Sequence, residues 1–91
     1  MELYRLKTFR AVAEEGTLTR AARHLNSSQP KVSAHIKAFE EALGLRLLHR
    51  SRRGMAPTEQ GRALLPRVEG SLSSLAMLEE EAMRLGEAIT G

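Results

Sequence analysis

Two short amphipathic patterns joined by a tight turn constrain this fold more than any other feature. The first pattern spans residues 18–25 and the second residues 32–43, with the turn Asn26-Ser27-Ser28 between them. Apolar residues recur at helical spacing in both, namely Leu18, Ala21, Ala22 and Leu25, then Val32, Ile36, Phe39 and Leu43. A three-residue turn is too short to hold the two helices apart in space. The pair is therefore expected to pack at an angle and to bury both apolar stripes in one core.

Start and stop signals extend this pattern over the rest of the chain. A first helix is predicted over Leu3–Glu15, ended by Gly16, with Thr17 as the N-cap of the second helix. Ser27 or Ser28 is expected to cap the third helix, which Gly44 ends. Residues 46–56 are short, basic and poor in helix signals, which predicts a two-stranded hairpin. Thr58 is predicted to cap a long last helix that runs to about residue 89.

These elements predict a mainly α protein, a winged helix-turn-helix with a three-helix core and a two-stranded wing, followed by a long linker helix. We divide the chain at residues 1–58 for the winged domain and 59–91 for the linker or dimerisation helix. Ninety-one residues suffice for one modest core.

Composition narrows the function classes. The chain has no cysteine, and His24, His35 and His49 show no metal-ligand spacing. Neither a catalytic motif nor a phosphate loop is present. We therefore predict no enzyme activity, no cofactor, no metal, no membrane span and a cytoplasmic location.

Charge is divided unevenly along the chain. Residues 1–62 hold twelve Lys or Arg against six Glu, a net of +6, whereas residues 63–91 hold two Arg against five Glu, a net of −3. A basic segment is attracted to a polyanion. In a helix-turn-helix the third helix enters the major groove of DNA, so its outer face becomes the candidate site.

The outer face of the third helix, about residues 28–43, carries the predicted base contacts. The Gln29 amide can pair with adenine, Lys31 can reach guanine or a phosphate, and Ala34 keeps the face thin. The full predicted set is Gln29, Pro30, Lys31, Ala34 and His35. Glu40 and Glu41 are expected to keep the far end of the helix away from phosphate.

The predicted backbone contacts surround that face. Arg52 and Arg53 are placed at the hairpin tip, where they can follow phosphates or enter a narrow minor groove. The full set is Thr17, Ser28, Ser33, Lys37, Arg50, Arg52 and Arg53.

The last helix is longer than the core requires and rich in leucine, which favours pairing with a second copy. The predicted dimer contacts are Leu65, Val68, Leu72, Leu75, Leu78, Ala82 and Leu85. The alternative is that this face folds back on the chain's own core.

Four motifs lie along the first two thirds of the chain, namely Phe9-x-x-Val12-Ala13-x-x-Gly16-x-Leu18-x-x-Ala21-Ala22-x-x-Leu25, Ser28-Gln29-Pro30-x-Val32-Ser33, Leu43-Gly44-x-x-Leu47-x-x-Arg50 and Thr58-x-x-Gly61. Together they closely resemble the N-terminal domain of LysR-type transcriptional regulators. The resemblance is dense over residues 1–62, and Ala34 departs from it, since the family commonly has Arg there.

This resemblance implies base contacts by residues 29–31, phosphate contacts by Ser28, Ser33 and Arg50, and Arg53 at the wing tip. It also implies a dimer through the linker helix on a pseudo-palindromic promoter site in double-stranded DNA, and tetramers of a full-length protein. A small-molecule co-inducer would bind a C-terminal effector domain that this chain lacks. The alternatives are a winged-helix protein-interaction module and a non-specific architectural DNA binder.

Overall fold

Four helices and one hairpin follow each other in the order that the sequence predicts. The computed structural model describes residues 2–90 and the side chains of residues 2–88, so Met1 and Gly91 lie outside it. The elements are α1 Leu3–Glu15, α2 Leu18–His24, α3 Gln29–Leu43, β1 Leu48–Ser51, β2 Gly54–Pro57 and α4 Glu59–Thr90. The predicted winged helix-turn-helix with a long last helix is confirmed.

The ends of the first three helices are fixed by local hydrogen bonds. Gly16 adopts a left-handed conformation with φ of 82° and donates its N–H to the Val12 carbonyl. The Thr17 hydroxyl accepts from the Arg20 N–H at 3.0 Å, as expected of an N-cap. Of the two candidate serines, Ser28 caps α3, since its Oγ accepts from the Lys31 N–H at 3.4 Å.

The core lies where α1, α2 and α3 meet. The rings of Phe9 and Phe39 are both buried, with centroids 6.1 Å apart and planes tilted by 56°. Such a tilted pair is favourable beyond the area it buries. Ala21 and Ala22 are buried too, and their small side chains let α2 lie close to its neighbours.

The hairpin of β1 and β2 is the wing (residues 48–57). Its strands are antiparallel, with Leu48 opposite Pro57 and Ser51 opposite Gly54. Arg52 and Arg53 therefore form the two-residue turn at the tip, as predicted. Leu47 and Leu48 are buried and join the wing to the core.

The first half of α4 packs into the same core. Val68 and Leu72 are 4% and 6% exposed, and Leu64 and Leu65 pack beside them. The helix continues through Pro66. The predicted boundary between residues 58 and 59 therefore marks the start of a helix, and the packed core continues past it.

Candidate nucleic-acid interface

The first turn of α3 presents an exposed polar face. Gln29, Pro30 and Lys31 are all exposed, and the Ser28 cap fixes where the helix begins. Pro30 lacks an N–H, which costs nothing in the first turn of a helix. Ala34 is exposed one turn later, so this face carries little bulk and can approach another surface closely.

His35, one of the predicted base contacts, lies against α1. Its ring centroid is 4.6 Å from that of Tyr4, with the planes tilted by 59°, and the residue is half-buried. The imidazole therefore packs between two helices. His35 is therefore less exposed than the other predicted base contacts, and its contact with bases stays a prediction.

Glu40, predicted with Glu41 to keep the far end of α3 away from phosphate, is held by contacts within the protein. Its side chain is 14% exposed, and Oε2 accepts from the N–H groups of Leu47 at 2.7 Å and Leu48 at 3.2 Å. The same oxygen lies 3.5 Å from Nε of Arg46. Glu40 therefore holds the start of the wing against α3, whereas Glu41 is exposed as predicted.

The wing is held against the turn between α1 and α2 by two glycines. The Met55 N–H donates to the Gly16 carbonyl at 2.8 Å. Gly54 has φ of 133°, and a Cβ there would lie 2.3 Å from the same carbonyl oxygen and 2.8 Å from Cγ2 of Thr17. Only glycine permits this approach, which places the wing beside the N-cap of α2.

A cleft of about 160 Å³ separates α3 from the wing. Three of the predicted backbone contacts line it, namely Ser33, Lys37 and Arg50, together with Arg46 and Glu40. These residues come from α3, from the loop that follows it and from β1, and they meet only in the folded chain. The cleft therefore gathers three cations and a hydroxyl beside the exposed face of α3.

The predicted contact cations are free of acidic partners within the described residues 2–90. The ion pairs found there involve Arg5, Arg20, His24, Arg46 and Arg84, of which Arg20 and His24 both lie near Glu15. Lys31, Lys37 and the wing arginines 50, 52 and 53 are exposed and make none. The surface formed by α3 and the wing is thus positively charged and open to an anionic ligand.

The predicted dimer contacts on α4 divide into three groups by their burial. Val68 and Leu72 belong to the chain's own core and have little surface left for a second copy, which corrects their assignment. Leu65 and Leu75 are half-buried. Leu78 and Leu85 remain 64% and 49% exposed, and Ala82 is exposed beside them.

Other kinds of site receive no support from the part of the chain that the structure describes. No group of three or more His, Asp or Glu side chains is placed to hold a metal ion there. In the same residues no helix combines the length and apolarity needed to cross a membrane.

Sequence reasoning missed the roles of Glu40, Arg46 and Gly54. One signal was available for Glu40, since it lies four residues after the core residue Ile36 and next to buried Phe39. No local pattern indicated that Gly54 touches Gly16, because 38 positions separate them.

Comparison with known proteins agrees with this architecture. Residues 3–62 match the model of the family described as bacterial regulatory helix-turn-helix protein, lysR family. The small neutral protease regulatory protein of Streptomyces coelicolor is 42% identical over 77 residues, covering 85% of this chain and 24% of that protein. The HTH-type transcriptional regulator YofA of Bacillus subtilis is 45% identical over 80 residues, covering 88% and 28%. The chain thus spans about a quarter of the length of these relatives.

Solved structures match over nearly the whole chain. The DNA-binding domain of CbnR in complex with DNA superposes with a TM-score of 0.87 at 36% identity, covering 94% of this chain and 99% of that one. The BenM DNA-binding domain with catB site 1 DNA gives 0.90 at 34% identity, covering 97% and 95%. The chain therefore belongs to the lysR family of bacterial regulatory helix-turn-helix proteins, in which it corresponds to the DNA-binding domain.

Proposed function

We propose that this chain binds double-stranded DNA at specific promoter sequences, with the N-terminal end of α3 in the major groove. The observation that carries the proposal is the exposed first turn of α3 beside a cleft that holds the unpaired cations Lys37 and Arg50. Base edges in the major groove are distinguished by amide and cationic side chains, and phosphates attract the cations. The similar CbnR and BenM domains were solved as DNA complexes.

Each contact residue has a proposed role. Gln29, Pro30, Lys31 and Ala34 face the base edges, and the short side chain of Ala34 leaves room for the helix to approach them. The proposed backbone contacts are Thr17, Ser28, Ser33, Lys37, Arg50, Arg52 and Arg53. Bacterial DNA lies in the cytoplasm, so we place the protein there.

Substitution of Gln29 by alanine tests the base-reading role. Loss of a bidentate amide contact should cost about 1–3 kcal/mol of binding free energy and relax the preference at one base position. The assay selects bound sequences from random duplex DNA, with Gln60→Ala as the control because Gln60 is an exposed amide outside the proposed surface. An equal loss on every sequence would refute the assignment.

A protein-interaction module of the same fold is the alternative function. Binding to duplex DNA releases counterions, so affinity should fall steeply as salt is raised. Absence of duplex binding at low salt would favour the alternative. A ratio near one between the selected site and competitor DNA would favour a non-specific architectural role.

We also propose a dimer through the exposed part of α4. Leu78, Ala82 and Leu85 follow helical spacing on one side of a helix that extends beyond the core. Leu78→Asp should leave the fold intact and shift the sedimentation coefficient towards a monomer. Met83→Asp is the matched control, because Met83 is also 67% exposed and lies about 140° around α4 from Leu78. Equal sedimentation of both variants and the parent chain would exclude this face.

Membership of the lysR family also leads us to propose two properties of a longer protein that contains this chain. We expect a full-length regulator to form tetramers and to respond to a small co-inducer through a C-terminal domain. Sedimentation and ligand titration of the full-length protein would check both expectations.

A further inference from the structure

Glu40 connects the recognition helix α3 to the wing through a single carboxylate oxygen. Oε2 accepts two backbone N–H groups, those of Leu47 at 2.7 Å and Leu48 at 3.2 Å. Both of those residues are fully buried, at 0% and 1% exposure, so the bonds lie at the edge of the core. A carboxylate that accepts two amides makes stronger bonds than a neutral group would.

The same carboxylate restrains a cation in the cleft. Nε of Arg46 lies 3.5 Å from Oε2, although the Arg46 side chain is 78% exposed and could reach solvent. Among the residues that line the cleft, Lys37, Arg46 and Arg50 are cationic and Glu40 is the acid. One of the three positive charges is therefore paired within the protein.

We propose that Glu40 is a positioning residue of the DNA-binding surface, which fixes the start of the wing on α3 and withholds Arg46 from phosphate. The inference rests on the proposed DNA-binding function. Phosphate contacts strengthen binding to every sequence equally and carry no base information. Holding back one cation thus limits binding to random DNA while the base contacts of α3 are unaffected.

Glutamine and alanine at position 40 separate the two roles. Glu40→Gln retains an oxygen that can accept both N–H groups but loses the charge, whereas Glu40→Ala loses both. Hydrogen exchange at the amides of Leu47 and Leu48 should stay protected in Glu40→Gln and become faster in Glu40→Ala. Unchanged protection in a folded Glu40→Ala would overturn the positioning role, and loss of protection in Glu40→Gln would show that the charge itself is required.

To test whether the charge of Glu40 restrains Arg46, the affinity for a short duplex of random sequence is measured over a series of salt concentrations. Releasing Arg46 should tighten binding of Glu40→Gln by about two- to fivefold at low salt, the range expected for one exposed ion pair. The plot of log affinity against log salt should steepen by about 0.9 for one added phosphate contact. Arg46→Gln alone should leave the slope unchanged, and it should abolish the steepening when combined with Glu40→Gln.

Each result has one meaning. The proposal that Glu40 withholds Arg46 from phosphate would be overturned if Glu40→Gln showed the salt slope of the parent chain. It would also be overturned if the slope steepened equally when Glu40→Gln was combined with Arg46→Gln. A shallower salt dependence of affinity in Arg46→Gln alone would show that Arg46 already contacts phosphate in the parent chain, which would also overturn the proposal. Failure of the parent chain to bind any duplex would refute the proposed function instead, and hydrogen exchange would still decide the positioning role.

Discussion

Gly61 is a position in α4 at which adding a single methyl group should strongly reduce the stability of the fold. An added Cβ would lie 2.1 Å from the carbonyl oxygen of Leu47 and 3.3 Å from Cβ of Pro57. The same oxygen accepts the Thr58 N–H at 2.9 Å, and the Thr58 hydroxyl donates to the Arg46 carbonyl at 2.5 Å. Backbone held by such bonds cannot move aside without breaking them.

Gly61→Ala should therefore destabilise the chain despite its position in a helix. Overpacking against backbone costs about 3 kcal/mol at the upper end of its usual range, and alanine regains about 1 kcal/mol of helix propensity. The net loss of about 2 kcal/mol corresponds to a melting temperature lower by about 8–16 °C for a domain of this size. Urea denaturation followed by circular dichroism measures the free energy directly.

Gly70→Ala provides the matched control in the same helix. Nothing lies within 4 Å of a Cβ added at Gly70, so only the gain in helix propensity remains, about 1 kcal/mol of added stability. Both variants should be measured at two protein concentrations, because dimer formation would make stability concentration-dependent. A Gly61→Ala variant as stable as Gly70→Ala would refute the close approach of α4 to Leu47.

Two further substitutions test other parts of the surface. Thr17→Ala removes the N-cap of α2 and should cost about 1 kcal/mol in urea denaturation, whereas Thr17→Ser should retain most of the stability. Gly54→Ala should displace the wing from Gly16 and weaken binding to random and selected duplexes alike in a fluorescence titration. Gly44→Ala is its control, since Gly44 is also left-handed but has open space around it, and unaltered affinity in both variants would contradict the role of the wing.

The helices and their ends could be predicted from the sequence because their determinants are local. The Thr17 cap lies three residues from the amide it binds, and the stripe of Phe9 and Val12 repeats within single turns. The wing and its basic tip were predicted from the short basic stretch 46–56, and the family resemblance agreed with them. These signals lie within a few residues of each other, so no knowledge of tertiary contacts was needed.

The remaining features depend on contacts between distant segments. Glu40 was predicted only to repel phosphate because its hydrogen-bond donors, the N–H groups of Leu47 and Leu48, carry no side-chain signal. Val68 and Leu72 fitted both a dimer face and a core face, since helical spacing is the same for either. Whether Val68 and Leu72 face a dimer partner or the core depends on how α4 packs on the other helices. Sequence periodicity does not contain that information.

The close packing of α4 on the core has a consequence for the spacing of promoter half-sites. Its 32 residues extend about 48 Å, and its first half is fixed to the core by Val68, Leu72 and the contact at Gly61. In the proposed dimer, the distance and rotation between the two α3 helices would then be set by packed helix and not by a flexible tether. One inserted base pair rotates a half-site by about 34°, which a flexible linker would absorb and a packed helix would not. The dimer would therefore select DNA by the length of the spacer between half-sites as well as by base sequence. Substitutions where α4 contacts Leu47 would change which spacer lengths the dimer accepts.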